Sequence, residues 1–313
     1  MRGFEYYTPT RVIFGKDTHM KVGELLKEYG CKKVLIHYGS GSAVSSGLLD
    51  QIKSSLAEAG VDFVTLGGVV SNPRLSKVCE GIELCKKEQV DFLLAVGGGS
   101  VIDSCKAIGY GVANPWTDVW NFFLKTEVPK DCLPIGAIPT IAASGSEMSG
   151  SCVITNEDGW LKRGSTRSDL CRPKFALLNP RLTYTLPQYQ TESGCVDILM
   201  HTMERYFVNL ETMEITDSIS ESLMQTVIYN ARILMKEPTG PAISLSMSWA
   251  VCMMWRTAPD LPLSGEAGHD MYIWKTRNAS PSLQQMYLIF PAMWILKKQR
   301  WPALKPWKIF SAP

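Results

Sequence analysis

Asp91-Phe-Leu-Leu-Ala-Val-Gly-Gly-Gly-Ser-Val-Ile-Asp103 is the stretch whose reading decides the fold. Phe92 to Val96 is an uninterrupted apolar run, as expected for a strand buried on both faces of a parallel sheet. Gly97, Gly98 and Gly99 follow, a turn without Cβ atoms in which backbone can come close to a ligand. Ser100 is a fitting N-cap for a helix continuing through Val101, Ile102, Cys105, Lys106 and Ile108. Strand, glycine turn and helix start together aim unpaired N–H groups and a positive dipole end at one point, which makes an anion site suited to phosphate. A plain strand-to-helix turn is the competing reading, and the turn alone does not say which nucleotide would bind.

Outward from this stretch the same pattern repeats. Residues 12–14 read as a short edge strand, and 34–38, 62–66, 134–138 and 175–178 as further strands. Amphipathic helices lie between them, one from about Thr18 to Gly30, another around Leu48–Leu56 and a third around Val78–Cys85. Alternation of this kind predicts βαβ units and a doubly wound parallel sheet, whose ligands sit beyond the carboxyl ends of the strands. The turns at 39–43, 67–73, 97–100 and 139–147 are therefore expected to line one crevice. From Pro187 the pattern becomes helical, with Val196, Leu199, Met200, Met203 and Phe207 spaced for one apolar face, so a domain boundary is expected near 184–188.

Bulk properties narrow the function classes. The chain has 313 residues, a formal net charge of +2, 45% hydrophobic and 20% charged residues, an ordinary globular composition without the charge for nucleic acid or a membrane surface. No apolar run reaches the roughly 18 residues of a membrane span, and no signal-peptide core follows Met1. Nine cysteines without CxxC pairs argue against a disulfide framework or zinc ribbon and for a reducing cytoplasm.

Three pieces carry chemistry beside the glycine turn. After the 34–38 strand comes Gly39-Ser40-Gly-Ser42, with no acidic residue to bind a ribose 2′-hydroxyl; Gly39 and Ser40 leave room for a 2′-phosphate, which favours NADPH over NADH. Thr140-Ile-Ala-Ala-Ser144-Gly-Ser-Glu147 offers hydroxyls and small residues against which a cofactor could lie. Asp197 and His201 are four apart on an expected helix, so one face presents a carboxylate and an imidazole, half of a four-ligand Fe²⁺ or Zn²⁺ site; a surface hydrogen bond is the plainer alternative.

Gly97 to Asp103, Ile138-Pro-Thr-Ile-Ala-Ala-Ser-Gly-Ser-Glu-Met148 and Asp197-Ile-Leu-Met-His201, in this order and spacing, resemble the iron-containing (group III) alcohol dehydrogenases. The likeness covers about residues 4–240 and is greatest to the butanol-dehydrogenase and NADPH-dependent aldehyde-reductase branch, which shows a turn like Tyr38 to Ser42. It implies a Rossmann-like NAD(P)-binding domain (1–185), then an all-helical, dehydroquinate-synthase-like domain (begun at 186–240), with a metal between them. It further implies a pyrophosphate held by Gly97, Gly98, Gly99 and Ser100, with Asp103 of the same motif also binding the cofactor. Thr140, Ser144 and Lys162 would contact the cofactor, Asn72 would stand in the pre-helix turn, and Asp197 and His201 would be the first two metal ligands. The implied reaction is reversible hydride transfer between NADPH, or NADH, and a small aldehyde or alcohol such as butyraldehyde or butanol. A homodimer is an admissible assembly.

The chain departs from that pattern at its end. The family draws two more histidine ligands from later helices, but the histidines here are His19, His37, His201 and His269, and only His269 stands at a workable position, in an unfamiliar setting. Residues 241–313 hold 3 acidic and 8 basic residues, six of the nine tryptophans, eight of the 18 prolines and two glycines, a composition unlike the rest. The expectation is a frameshifted tail replacing most of the helical domain, and activity impaired accordingly. A catalytically inert NAD(P)-binding protein and a lyase on the same scaffold, as in the dehydroquinate synthases, are the alternatives. Resequencing the gene is expected to reveal a frame change near codon 240; an uninterrupted frame confirmed in the transcript would overturn that.

Overall fold

The computed structural model describes residues 7–39, 41–166, 168–206 and 214–236; the tail 241–313 lies outside them. The strands are β1 (Arg11–Phe14), β2 (Lys33–Gly39), β3 (Asp62–Val69), β4 (Phe92–Gly97), β5 (Ile135–Pro139), β6 (Val153–Asn156), β7 (Leu161–Gly164) and β8 (Phe175–Leu178). The helices are α1 (Val22–Glu28), α2 (Ser42–Ser45), α3 (Leu48–Ala59), α4 (Leu75–Glu88), α5 (Gly99–Ala113), α6 (Val119–Leu124), α7 (Gln188–Tyr206) and α8 (Glu214–Lys236). Six strands form one sheet in the order β1-β8-β5-β4-β2-β3, every pair parallel. The expected doubly wound α/β architecture is present, with strands within one residue of their sequence-derived bounds except β3, which runs three residues further, to Val69. The antiparallel hairpin β6–β7 was not foreseen: four-residue strands, one of them exposed throughout, leave no apolar run to read.

β4 is buried along its whole length, between β5 and β2. Successive side chains on a strand point to opposite faces, so Leu93 and Ala95 join Val78, Ile82, Cys105 and Ile108 on one side. Phe92, Leu94 and Val96 join Leu26, Leu49, Ile52 and Leu56 on the other. The chain leaves β2 for β3 in one direction and β4 for β5 in the other, so the sheet reverses its winding between β2 and β4. In open α/β sheets that reversal opens a crevice at the carboxyl ends of the strands. The turns after β2 and β4 stand at its mouth.

Compact packing groups 7–202 with 223–236, and separately 203–206 with 214–222. In the first unit Cys195, Ile198, Leu199 and Thr202 of α7 are buried; of the expected stripe Leu199 is buried, Val196, Met200 and Met203 are half-buried, and Phe207 lies outside the described residues. In the second, the Tyr206 hydroxyl donates to Glu221 at 2.8 Å. Among the described residues, no helix is long and apolar enough to cross a membrane, and all described cysteines are free thiols.

Beneath the crevice His37 on β2 is wholly buried; its Nδ1 meets the Leu66 carbonyl at 2.8 Å and its Nε2 the Ser104 hydroxyl at 2.9 Å. A carbonyl only accepts, so Nδ1 carries the hydrogen and Nε2 accepts from Ser104. The neutral ring thus ties β2 to β3 and α5. Burial lowers its pKa to about 4. A depressed histidine pKa leaves stability intact above the unfolded value of roughly 6.5 and removes it as pH falls toward 4. Urea unfolding is expected to show a loss of about 2 kcal/mol from this group between pH 7 and pH 5. The pH slope should shrink in His37→Gln; an unchanged slope would refute the assignment.

Candidate functional site

The glycine turn is built for close approach. Gly97 has φ +155°, a conformation side chains seldom tolerate, and it turns the chain from β4 toward α5. The helix starts at Gly99 with Gly98 as its N-cap, and the Gly98 carbonyl accepts from Val101 and Ile102 at 3.0 and 3.3 Å. This corrects the expectation that Ser100 caps the helix: Ser100 lies inside the first turn, because the turn is completed by glycines alone. No side chain caps the end. The first N–H groups therefore point outward without an intrahelical acceptor, which is what an anion requires.

The loop that follows β5 lies against this turn. Thr140 N donates to the Gly97 carbonyl at 3.2 Å. A Cβ on Gly98 would stand 2.9 Å from Ile141, and one on Gly99 would stand 2.3 Å from the Ser144 hydroxyl oxygen. Sequence placed Gly97–Gly99, Thr140 and Ser144 in one crevice, and they do meet. Gly39 ends β2 with only the Val69 carbonyl near, at 3.6 Å from its missing Cβ. Ser40 lies outside the described residues.

A second group collects beside α4. Asn72 takes the left-handed φ of +57°, which asparagine accepts more readily than most residues. The Pro73 carbonyl accepts from Thr155 N at 2.8 Å, and Arg74 bridges to Thr155. Thr155 in turn pairs with Lys162 across the hairpin. Asn72 and the exposed Lys162 are thereby carried by one clamped unit, reinforced by Arg74 over the Trp160 ring at 4.3 Å and by the Ser76–Glu157 hydrogen bond.

Asp103 faces inward. Its Oδ1 accepts from the Ser146 hydroxyl at 2.5 Å and its Oδ2 from Val153 N at 3.0 Å. One turn on, wholly buried Lys106 donates from Nζ to Ser146 O (2.7 Å), Ser146 Oγ (2.9 Å) and Ser151 O (2.9 Å). This lock between α5 and the 140–151 loop escaped the sequence reading. The available signal was a lysine lodged in the apolar stripe of Ile102, Cys105 and Ile108.

Asp197 and His201 lie on one face of α7, with Oδ1 and Nε2 3.5 Å apart and both side chains partly exposed. Two ligands each about 2.1 Å from a common ion stand roughly 3–3.5 Å apart, so this oxygen–nitrogen pair fits half of a metal site. Among the described residues, no group of three or more histidine, cysteine or acidic side chains could hold a metal. His269 lies outside them. α7 comes close to the cofactor loop because residue 194 is glycine; a Cβ there would stand 2.4 Å from the Ala142 carbonyl oxygen.

Residues 9–180 match the model of the family described as "Iron-containing alcohol dehydrogenase". The chain belongs to this family. It is 45% identical over 237 residues to the probable NADH-dependent butanol dehydrogenase 1 of Bacillus subtilis, covering 76% of this chain and 60% of that protein. Likeness to the NADPH-dependent aldehyde reductase of Escherichia coli is 31% over 306 residues, covering 95% of this chain and 77% of that one. The crystal structure of NADH-dependent butanol dehydrogenase A from Thermotoga maritima superposes with a TM-score of 0.77 at 36% identity, covering 83% and 66% of the two chains. The chain spans about 60% of the length of the Bacillus relative, whose match is the length of the segment 4–240 read from sequence. The match to the reductase continues beyond it.

Gly99→Ala is expected to weaken NADPH binding at least about tenfold, since the added methyl displaces Ser144 or the turn. Ser144→Gly in the same chain should recover part of it. Fluorescence titration of the two single variants and the double variant measures the coupling; additive effects would refute the contact.

Proposed function

We propose that this chain binds a nicotinamide dinucleotide across the β2–β4 crevice and passes hydride reversibly between it and a small aldehyde or primary alcohol. The observation that carries this reading is the uncapped α5 start, with three glycines seated against the Thr140–Ser144 loop and the Asp197–His201 pair on the helix packed on that loop. The N–H groups of Gly99 and Ser100 would hold the pyrophosphate, and Thr140 and Ser144 would keep the nicotinamide half against backbone. Asn72, in the turn before α4, and Lys162, on the hairpin clamped to that turn, would contact the cofactor from the α4 side. Asp103 and Lys106 hold the loop at its distance from the helix and act on the cofactor only through it.

Asp197 and His201 would hold a divalent metal, Fe²⁺ or Zn²⁺, which when bound supplies Lewis-acid polarisation of the substrate carbonyl. The bound dinucleotide would supply the hydride, with its two electrons, to the aldehyde carbon, and the proton on the oxygen would come from solvent. The protein's share is orientation; the hydride chemistry belongs to the cofactor. Relatives of this chain bear names with NADH and with NADPH. The bare Gly39 at the end of β2 places no carboxylate against a 2′-phosphate, which supports acceptance of NADPH. Butyraldehyde is the substrate to try first, since butanol dehydrogenases are among the relatives.

Oxidation of NADPH by the purified chain with butyraldehyde is expected to depend on added Fe²⁺ or Zn²⁺. His201→Ala should lower bound metal and turnover together while cofactor binding persists. Gly39→Asp should shift kcat/KM from NADPH toward NADH by about tenfold or more. Cofactor binding without metal or turnover would establish an inert nucleotide-binding protein instead.

A further inference from the structure

β3 carries an extra residue where it runs beside the end of β2. His37 pairs with Leu66 and Gly39 with Val69, so three steps on β3 oppose two on β2. The additional length is taken up by Gly67 and Gly68. A Cβ on Gly67 would strike the Tyr38 ring at 2.5 Å, and Gly68 has φ +87°. Such bulges break the pairing locally and re-aim what lies next to them. Here the space beside the bulge is entered from α4: Lys77 Nζ lies 3.7 Å, and its Cε 3.9 Å, from where a Cβ on Gly68 would stand. Lys77 is only 25% exposed, so its stem is laid along the strand end and does not extend into water. Glu80, one turn further along α4, pairs with its amine at 2.6 Å.

The end of β2 is where doubly wound folds receive the adenosine ribose, by an acidic residue for a free 2′-hydroxyl and by a cation nearby for a 2′-phosphate. Gly39 removes the first option. We propose that Lys77 supplies the second: it is the specificity-determining cation that receives the 2′-phosphate of the cofactor, with Glu80 holding the amine in place and moderating its charge. This rests on the dinucleotide reading of the crevice and deepens it. A partly buried amine gains more from a phosphate than an exposed one, because water screens it less. A bulge of two glycines leaves the phosphate room to approach.

Binding of 2′,5′-ADP and of 5′-AMP to the full chain, measured by calorimetry, separates the two readings without requiring turnover. The unaltered chain is expected to bind 2′,5′-ADP more tightly. Lys77→Gln should erase most of that preference, about tenfold, while 5′-AMP affinity stays within about twofold. Glu80→Gln should enlarge the preference by releasing the amine. Thermal unfolding of both variants checks that the helix is intact. A preference for 2′,5′-ADP that survives Lys77→Gln in a folded chain overturns the assignment of Lys77 and leaves the dinucleotide site standing. Failure of the unaltered chain to bind either probe overturns both.

Discussion

A lysine buried whole must have its N–H donors answered, because an unmet polar group in the interior costs on the order of 1–3 kcal/mol. Lys106 meets this demand with three acceptors, two on Ser146 and one on Ser151, while Asp103 takes the Ser146 hydroxyl hydrogen and Val153 N. Two side chains one turn apart on α5 thus bind the segment between β5 and β6 to the helix that follows the glycine turn. The same segment places Ser144 against Gly99, Thr140 against Gly97 and Ala142 against α7.

The same economy of space recurs around the crevice. Glycines at 97, 98, 99 and 194 stand where a methyl group would meet another atom at under 3 Å. At Gly194 the neighbour is the Ala142 carbonyl, and at Gly97, Gly98 and Gly99 it is a side chain of Val101, Ile141 and Ser144. Below the crevice, His37 plays the corresponding part among β2, β3 and α5, and burial keeps it neutral. The crevice is therefore closely packed on its β4–β5 side. On the β2–β3 side the bulge at Gly67–Gly68 lies against the Tyr38 ring and the Lys77 amine.

Much of this was legible in the residues. Continuous apolar runs at 92–96 and 175–178 identified buried parallel strands, because period and length suffice when both faces are covered. The crevice turns were legible for the same reason, since glycine and hydroxyl clusters end such strands. The N-cap was misplaced at Ser100 because a serine before an apolar run is an N-cap by chemistry, whereas Gly98 caps by backbone shape alone. The hairpin β6–β7 was invisible because both strands have four residues and β7 is exposed throughout. On α7 the apolar spacing identified Leu199, whereas the close contact at Gly194 is silent in any hydropathy pattern.

The sequence by itself determined the parallel sheet, the position of the glycine turn, the absence of an acidic residue after β2 and the pairing of Asp197 with His201, all of which follow from local period and spacing. Only the tertiary structure decided the strand order that opens the crevice between β2 and β4, and the inward role of Asp103 and Lys106. It alone brought the Lys77 amine to the bulge of β3. These depend on which elements pack together across tens of residues. Burial and polar satisfaction are properties of the packed whole, and no stretch of chain carries them on its own.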